Sequence, residues 1–320
     1  MKKVIVSLIF TILTVSLIKG QLPDINGKPL AEIYTDFHYN PSGGTKTSGF
    51  GLNRAYFGYN FLANENFSAL IKVEIGSPED LATGSKNRRY AYYRDASITY
   101  LKDKLNITFG ITETKLFDYQ QKFWGKRYIA NTFESLNKYG DVADLGVVAD
   151  YKFNDKIEAD IALMNGEGYS NIQLDNNLKL SGGITIKPIN NLYIRVFGDL
   201  MKTLDLWQST FVGFAGYKSE TVTVGAEMIY KTNHDLTYGH NAWGFSGTSA
   251  VSLFKKLEFF ARYDYTTSII ADGETVQWNL GKDGSFLITG FQCTFNKYVK
   301  LALDNQVNIP RTIDRNNFEK

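Results

Sequence analysis

The stretch that decides the fold is "LEFFARYDY", Leu257–Tyr265. Successive side chains of a β-strand point to opposite faces of a sheet. As a strand, this stretch has one face that is apolar throughout, while the other holds Glu258, Phe260, Arg262 and Asp264. A soluble sheet over an apolar core satisfies both faces, and so does a transmembrane barrel with lipid outside and a wet lumen inside.

The same alternation repeats along the chain, without the 3.6-residue spacing of amphipathic helices. One example is Leu145, Val147 and Ala149, which alternate with Gly146 and Asp150. The pattern predicts fifteen strands at 29–40, 49–62, 66–77, 90–101, 105–113, 142–153, 156–164, 177–187, 191–201, 206–217, 220–231, 242–254, 257–267, 284–295 and 298–309.

The connections between these strands alternate in length. Seven are short, among them "ANEN", "FNDK" and "FNKY", and five are long, at 77–89, 114–141, 165–176, 232–241 and 268–283. Only "KTLD", between the ninth and tenth strands, breaks the rule. Outer-membrane barrels have short turns at one end and long loops at the other, whereas soluble sandwiches have no reason to alternate in this way.

Strand number and aromatic placement support the membrane alternative. A closed soluble barrel of about 16 strands would have a lumen too wide for side chains to fill. Aromatic residues gather beside the short turns, where a membrane girdle belongs: Phe61, Phe67, Tyr100, Phe153, Tyr217, Phe295 and Tyr298. We therefore predict an all-β fold, a transmembrane antiparallel β-barrel of about 16 strands, and keep a soluble β-protein as the alternative.

The two ends of the chain carry separate predictions. Residues 1–20 combine a basic start with a short apolar run, which indicates a secretory signal peptide rather than an uncleaved anchor, since a spanning helix needs about 20 apolar residues. Residues 21–320 then form a single barrel domain. Fifteen is an odd number of strands, whereas bacterial single-chain barrels have an even number. The segment after the fifteenth strand, "NIPRTIDRNNFEK", is polar and does not have the pattern of another strand. We expect the last strand, about ten to fifteen residues, to be missing from this chain. The alternative is a complete barrel with fewer strands, in which one strand has been counted as two.

Four stretches carry a family resemblance: "KFWGKRY" (122–128), "ADLGVVADYKFND" (143–155), "NGEGY" (165–169) and "FARYDY" (260–265). They occur in the order found in porins related to the phosphate-selective porin O and P group, which the chain resembles over most of residues 30–309. The resemblance implies a 16-stranded outer-membrane barrel that passes small solutes by diffusion. In trimeric relatives the longest loop folds inward and narrows the pore.

The segment Lys115–Asp141 is the strongest candidate for a functional loop, because long structured loops usually have a role. Its composition allows short helices around Phe117–Phe123 and Thr132–Lys138. With the resemblance, it predicts a pore constriction with facing charges, a known selectivity device. The alternative is a solvated external lid. The predicted constriction residues are Lys122, Lys126, Arg127 and Lys138 on the positive side and Asp118 and Glu134 on the negative side.

The charges predicted to face the lumen have both signs. They include Arg54, Lys72, Arg195, Arg262, Asp150 and Asp160. Phosphate-selective members of the resembled group line the pore with arginines and place a lysine cluster at the constriction. This chain has no such arginine stripe, so the resemblance does not imply phosphate as its solute.

Other kinds of chemistry have little support. His234 and His240 bracket "HDLTYGH", but the spacing fits no structural zinc pattern. No nucleophile motif is present, the net charge of +2 gives no basis for nucleic-acid binding, and the single cysteine, Cys293, cannot form an internal disulfide.

The sequence therefore predicts a passive outer-membrane channel without cofactor or metal. Its partners would be membrane lipids, small hydrophilic solutes or ions, and two further copies in a homotrimer. A non-conducting barrel for adhesion or membrane structure remains an alternative, and a barrel-embedded enzyme is a second one.

Overall fold

The computed structural model describes residues 26–41, 47–76, 90–203 and 205–311. The predicted signal peptide at residues 1–20 lies outside the described residues. The predicted sixteenth strand would follow the described residues and lies outside them as well.

The fifteen predicted strands are confirmed, with ends that differ by a few residues. They are β1 (Asn26–Asn40), β2 (Thr47–Leu62), β3 (Phe67–Ile75), β4 (Ala91–Lys102), β5 (Leu105–Glu113), β6 (Ala143–Asn154), β7 (Ile157–Met164), β8 (Lys179–Ile186), β9 (Leu192–Thr203), β10 (Leu206–Lys218), β11 (Val222–Thr232), β12 (Ala242–Phe254), β13 (Leu257–Ser268), β14 (Gly284–Thr294) and β15 (Lys300–Pro310). Each strand pairs with the next in one antiparallel sheet whose edges, in the described residues, are β1 and β15.

The two faces of the sheet differ as the alternation predicts. On β13, Arg262 is 1% exposed, whereas its neighbour Tyr263 is 43% exposed. The outward face is apolar on the other strands too, for example at Ile161 on β7 and Val196 on β9. An apolar outer surface around a polar interior is the pattern of a barrel in lipid, the reverse of a soluble domain.

Asparagine side chains close three of the short turns in the same way. The side-chain oxygen of Asn64 accepts hydrogen bonds from the backbone N–H groups of Asn66 and Phe67, both at 2.8 Å. Asn154 and Asn296 each accept the corresponding pair from the residues two and three positions later. Asparagine favours turns because its side chain can replace a backbone partner in this way. These turns fix the register of the strands that they join.

Helices are few and short. Two lie between β5 and β6, namely α1 (Asp118–Trp124) and α2 (Phe133–Leu136), close to the two predicted positions. A 3-10 helix, His234–Leu236, follows β11. None of the helices in the described part of the chain is long and apolar enough to cross a membrane.

Candidate functional site

Residues 114–142, here called the inner loop, lie against the inner face of the sheet. Helix α1 packs through Tyr119 and Phe123, both buried, against Phe214 of β10 and Tyr193 of β9. The ring centroids of Phe123 and Phe214 are 5.0 Å apart. Because these wall residues point inward, the loop occupies the barrel interior instead of extending into solvent.

Glycines on the wall make room for the loop aromatics. A Cβ atom at Gly216 of β10 would overlap the ring of Phe123, and one at Gly244 of β12 would overlap the ring of Phe133. Glycine inside a strand often marks a position where another group approaches closely. The two rings therefore occupy recesses that only glycine leaves open.

Four cationic side chains of the wall hold the loop by its backbone. They donate to four loop carbonyl oxygens, at distances of 2.6 to 3.2 Å: Arg195 to Lys115, Lys218 to Lys122, Arg262 to Asn131, and Lys231 to Tyr139. Bonds from charged donors are stronger than neutral ones. Since the four carbonyls are spread along the loop, its path is fixed at regular intervals.

Two of these cations are themselves oriented by a carboxylate. The guanidinium of Arg195 binds both oxygens of Asp160, at 2.6 and 3.0 Å. That of Arg262 binds both oxygens of Asp264, at 2.6 and 2.9 Å. Bidentate pairs fix the plane of the guanidinium, and the N–H groups that remain donate to the loop carbonyl and, in Arg195, also to the hydroxyl of Thr185 at 3.2 Å. Arg195, Arg262 and Asp160 were predicted as lumen charges, and they lie on the inner face as loop anchors.

The tip of the loop touches three strands. The ammonium nitrogen of Lys126 lies 2.6 Å from a carboxylate oxygen of Glu258 on β13. The hydroxyl of Tyr128 donates to Gln292 of β14 at 2.6 Å, and Arg127 donates to the hydroxyl of Tyr56 on β2 at 3.4 Å. The tip thus reaches from the β13–β14 wall to β2.

The structure distributes the six predicted constriction residues over three environments. Lys122, 59% exposed on its side chain, pairs with Asp118 at 2.8 Å, and Lys138 is exposed. Lys126 is buried in its ion pair, and Arg127 is half-buried beside Tyr56. Glu134 differs most from expectation, because it is fully buried. It points behind the loop toward Glu227 of β11 instead of lining a water-filled rim.

The start of the loop forms a compact charge cluster. Lys115 pairs with Asp150 of β6 at 2.6 Å. Burial lowers the pKa of Lys115, but Asp150 and Asp118 outweigh it and leave the pKa raised. Burial raises the pKa of Asp118, but Lys115 and Lys122 outweigh it and leave the pKa lowered. Both groups are therefore held in their charged forms.

The facing wall carries paired charges as well. Arg54 of β2 lies 2.9 Å from Glu74, and Lys72 of β3 lies 2.8 Å from Asp95. The inner surface therefore presents cations and carboxylates side by side, without a stripe of one sign. A mixed surface of this kind attracts water and ions of either charge.

Arg94 is the inner-face cation that alternation does not predict. Asp95 points inward, so its neighbour should point into lipid, yet Arg94 is 1% exposed and pairs with Asp95 and Glu113. The reason is a β-bulge, since the register between β3 and β4 shifts after the Lys72–Asp95 pair. A bulge adds one residue and re-aims the side chains near it. In the sequence, an arginine at a position that alternation assigns to the lipid-facing side of a strand would have indicated this bulge.

His234 and His240 both lie against the ring of Trp278. His240 stacks on Trp278 with centroids 4.5 Å apart, and His234 lies 5.2 Å from the same ring. His234 is buried and contacts the carbonyl oxygen of Lys138 at 2.9 Å. Within the described ranges no group of histidine, cysteine and carboxylate side chains is arranged to hold a metal ion.

Solved structures of outer-membrane channels share this architecture. OmpF of Salmonella typhi, in a complex with daunomycin, matches with a TM-score of 0.66 at 12% identity, over 91% of this chain and 92% of that one. The chain has the fold of outer-membrane porins. The porin fold also relates it to an anion-selective porin from Comamonas acidovorans (TM-score 0.63, 9% identity, 89% and 90% of the two chains). The outer membrane channel DcaP of Acinetobacter baumannii matches with a TM-score of 0.60 at 12% identity, over 89% of this chain and 90% of that one.

Sequence comparison adds no closer assignment. No protein-family model matches the chain, and no curated protein matches it. Membership of the phosphate-selective porin O and P group therefore stays a prediction from the motifs, while the porin fold is established by the structure.

Proposed function

We propose that this protein is an outer-membrane porin, a water-filled channel through which small hydrophilic solutes and ions diffuse passively. The observation that carries the proposal is the charged inner face opposite an apolar outer face. Charges such as Lys72, Lys115 and Asp150 are partly exposed on this face, whereas a packed apolar core would impose a large desolvation cost on them. The amphipathic wall thus supplies a polar path through an apolar layer.

The inner loop is the proposed size filter. The aromatic side of the loop, with Phe123 and Phe133, packs on the wall. Asp118 and Lys122 lie on the opposite side of the loop, which faces the proposed pore. The four cation-to-carbonyl contacts keep the loop from moving with each passing solute. A rigid loop inside the lumen gives the channel a fixed cut-off, because the solute must fit the space between the loop and the β2–β6 wall.

The proposed charge preference is weak. Most inner-face cations have a carboxylate close by, as in Arg54–Glu74 and Lys115–Asp150. Paired charges cancel at a distance, and salt screens the remainder within about 10 Å at 0.1 M ionic strength. Arg127 is the cation of the loop tip that forms no ion pair in the described part of the chain, so it contributes most of the residual field.

Liposome swelling tests the proposal. Purified, folded protein is inserted into lipid vesicles loaded with an impermeant polymer, and swelling is followed in sugars of increasing size. A channel gives rapid swelling with small sugars and a sharp decline with larger ones. A protein that inserts and shows the heat-dependent gel shift of a folded barrel, but gives no swelling with any sugar, is a non-conducting barrel, and the proposal fails.

A further inference from the structure

The apolar outer surface has a broad depression on one side. On the outside of β7–β10 lies a depression with a volume of about 620 Å³, here called the apolar notch. Its walls are exposed aliphatic and aromatic side chains: Ile161, Leu180, Ile184, Val196, Leu200 and Phe211.

The notch exists because two glycines lie side by side in the outward row. Gly182 of β8 pairs with Gly198 of β9 in register. Across the sheet, Ile161 pairs with Gly182 and Phe211 pairs with Gly198. The row therefore runs from a large residue across two glycines to a second large residue. A gap opens over the two glycines, between the side chains of Ile161 and Phe211.

The rows above and below close the ends of this gap. Leu180 pairs with Leu200 on the side of the long loops, and Ile184 pairs with Val196 on the side of the short turns. A cavity on an apolar surface loses dispersion contacts unless something apolar fills it. Since this face of a porin fold meets lipid, the occupant must be apolar and flexible enough to adapt to a shallow groove.

A cation and an indole ring lie beyond the notch, at the end of β9 and β10 nearest the long loops. Lys202 pairs in register with Trp207, and its ammonium nitrogen lies 5.3 Å from the indole ring centroid. Both side chains point outward and are exposed, and Lys202 forms no ion pair among the described residues. Tryptophan and lysine are typical of the boundary between hydrocarbon and headgroups.

The spacing matches one lipid molecule. Gly198 and Lys202 are four residues apart on the same strand, so the cation lies about 13 Å from the floor of the notch at 3.3 Å per residue. We propose that the apolar notch binds an acyl chain of a phosphorylated lipid, with the lipid phosphate paired to Lys202. A side chain of a second copy of the chain is the other apolar group that would fit the notch, and the test below separates the two.

Native mass spectrometry tests this proposal on the full chain, folded in a neutral detergent. Dioleoyl phosphatidylglycerol is the anionic probe and dioleoyl phosphatidylcholine its zwitterionic control. The Gly198→Leu variant fills the notch. Gly247→Leu is its matched control, because Gly247 also points outward, lies on β12 away from the notch, and would place a Cβ atom no closer than 3.5 Å to its neighbours. Lys202→Gln removes the cation, and Lys255→Gln, in a short turn at the opposite end of the barrel, is its control.

The proposal predicts one retained phosphatidylglycerol per chain and weaker retention of phosphatidylcholine. Gly198→Leu should abolish retention, while Gly247→Leu should leave it unchanged. Lys202→Gln should weaken it about fivefold, the effect of one lysine near an anionic lipid surface. Equal retention of both lipids, or retention unaffected by Gly198→Leu, would overturn the proposal. So would a dimer that Gly198→Leu disrupts, which would assign the notch to a second copy. None of these readouts depends on conduction.

Discussion

Glu134, in the inner loop, and Glu227, on β11, are both buried, and their carboxyl groups lie near enough to interact. Two carboxylates are both acceptors and cannot hydrogen-bond to each other, so the contact needs a proton on one of them. Burial raises the pKa of Glu134 above its ordinary range. The loop is thus held at this point by a contact that exists only while one of the two carboxyl groups is protonated.

Docking of the inner loop should therefore weaken as the pH rises. A carboxyl group whose pKa is raised in the folded state gives its full contribution below the unfolded pKa, about 4.3 for glutamate, and loses it as the pH rises above that value. Glu134→Gln keeps a hydrogen-bonding side chain and removes the charge. It should stabilise the docked loop by about 1–3 kcal/mol at pH 8 and have little effect at pH 4.

Hydrogen–deuterium exchange of residues 132–139 measures this effect. In the unaltered protein, protection should fall between pH 4 and pH 8, after correction for the intrinsic pH dependence of exchange. In Glu134→Gln the fall should be smaller, because only one of the two buried carboxyl groups is left to ionise. Equal pH profiles for the two proteins would mean that the Glu134–Glu227 contact carries no proton.

The recess under Phe123 gives a second prediction. Gly216→Val places a branched side chain where the ring lies, so α1 must move away from the wall and toward the lumen. Overpacking of this kind costs about 1–3 kcal/mol. Single-channel conductance should fall and current noise should rise. Gly213→Val, three residues earlier and outward-facing, should change neither; if the two variants behave alike, α1 does not depend on the recess.

The two faces of the wall should respond oppositely to charge. Ile161→Arg puts a cation in the middle of an outward-facing row of β7 and should destabilise the barrel by about 2–4 kcal/mol. Thr108→Arg, on the inner face where Thr108 contacts Thr99 at 3.0 Å, should fold and alter conductance. The folded fraction after refolding into lipid, read from unboiled gels, separates the outcomes. Equal folded fractions would show that the faces are assigned wrongly.

Arg127 should control the residual ion preference. Arg127→Glu reverses a charge beside Tyr56 that has no carboxylate partner in the described residues. One charge at 4 Å in water is worth about 1 kcal/mol, so the cation-to-anion permeability ratio should rise about fivefold or more. Reversal potentials in a salt gradient give the ratio. Lys255→Glu makes the same change in net charge outside the lumen and should leave the ratio unchanged; an equal shift in both variants would remove Arg127 from the pore.

The strand pattern was predictable because it is local. Alternation in stretches such as Leu257–Tyr265 and asparagine turns such as the one at Asn154 depend on residues adjacent in sequence. The positions of α1 and α2 were predictable for the same reason. Arg94 could not be placed, since a bulge is a relation between two strands and shifts the register within one of them.

The wall residues that contact the inner loop could not be predicted from the sequence. Glu134 has the charge expected of a pore rim, yet its environment is set by Glu227, 93 positions later, and by Arg262. Likewise, nothing in the sequence distinguishes Gly216 and Gly244 from other strand glycines. Their role is evident only from the aromatic rings that pack against them in the structure. Such pairs depend on where the loop crosses the barrel, which neither alternation nor composition encodes.

Current through a planar bilayer tests the central claim most directly. Purified protein that shows the heat-dependent gel shift is added to one side of a membrane bathed in potassium chloride, and the current is recorded at constant voltage. A water-filled lumen predicts stepwise, long-lived increases in current, nearly linear with voltage, with a smaller step for Gly216→Val than for Gly213→Val. Folded protein that inserts into the bilayer without any steps would contradict the proposed channel.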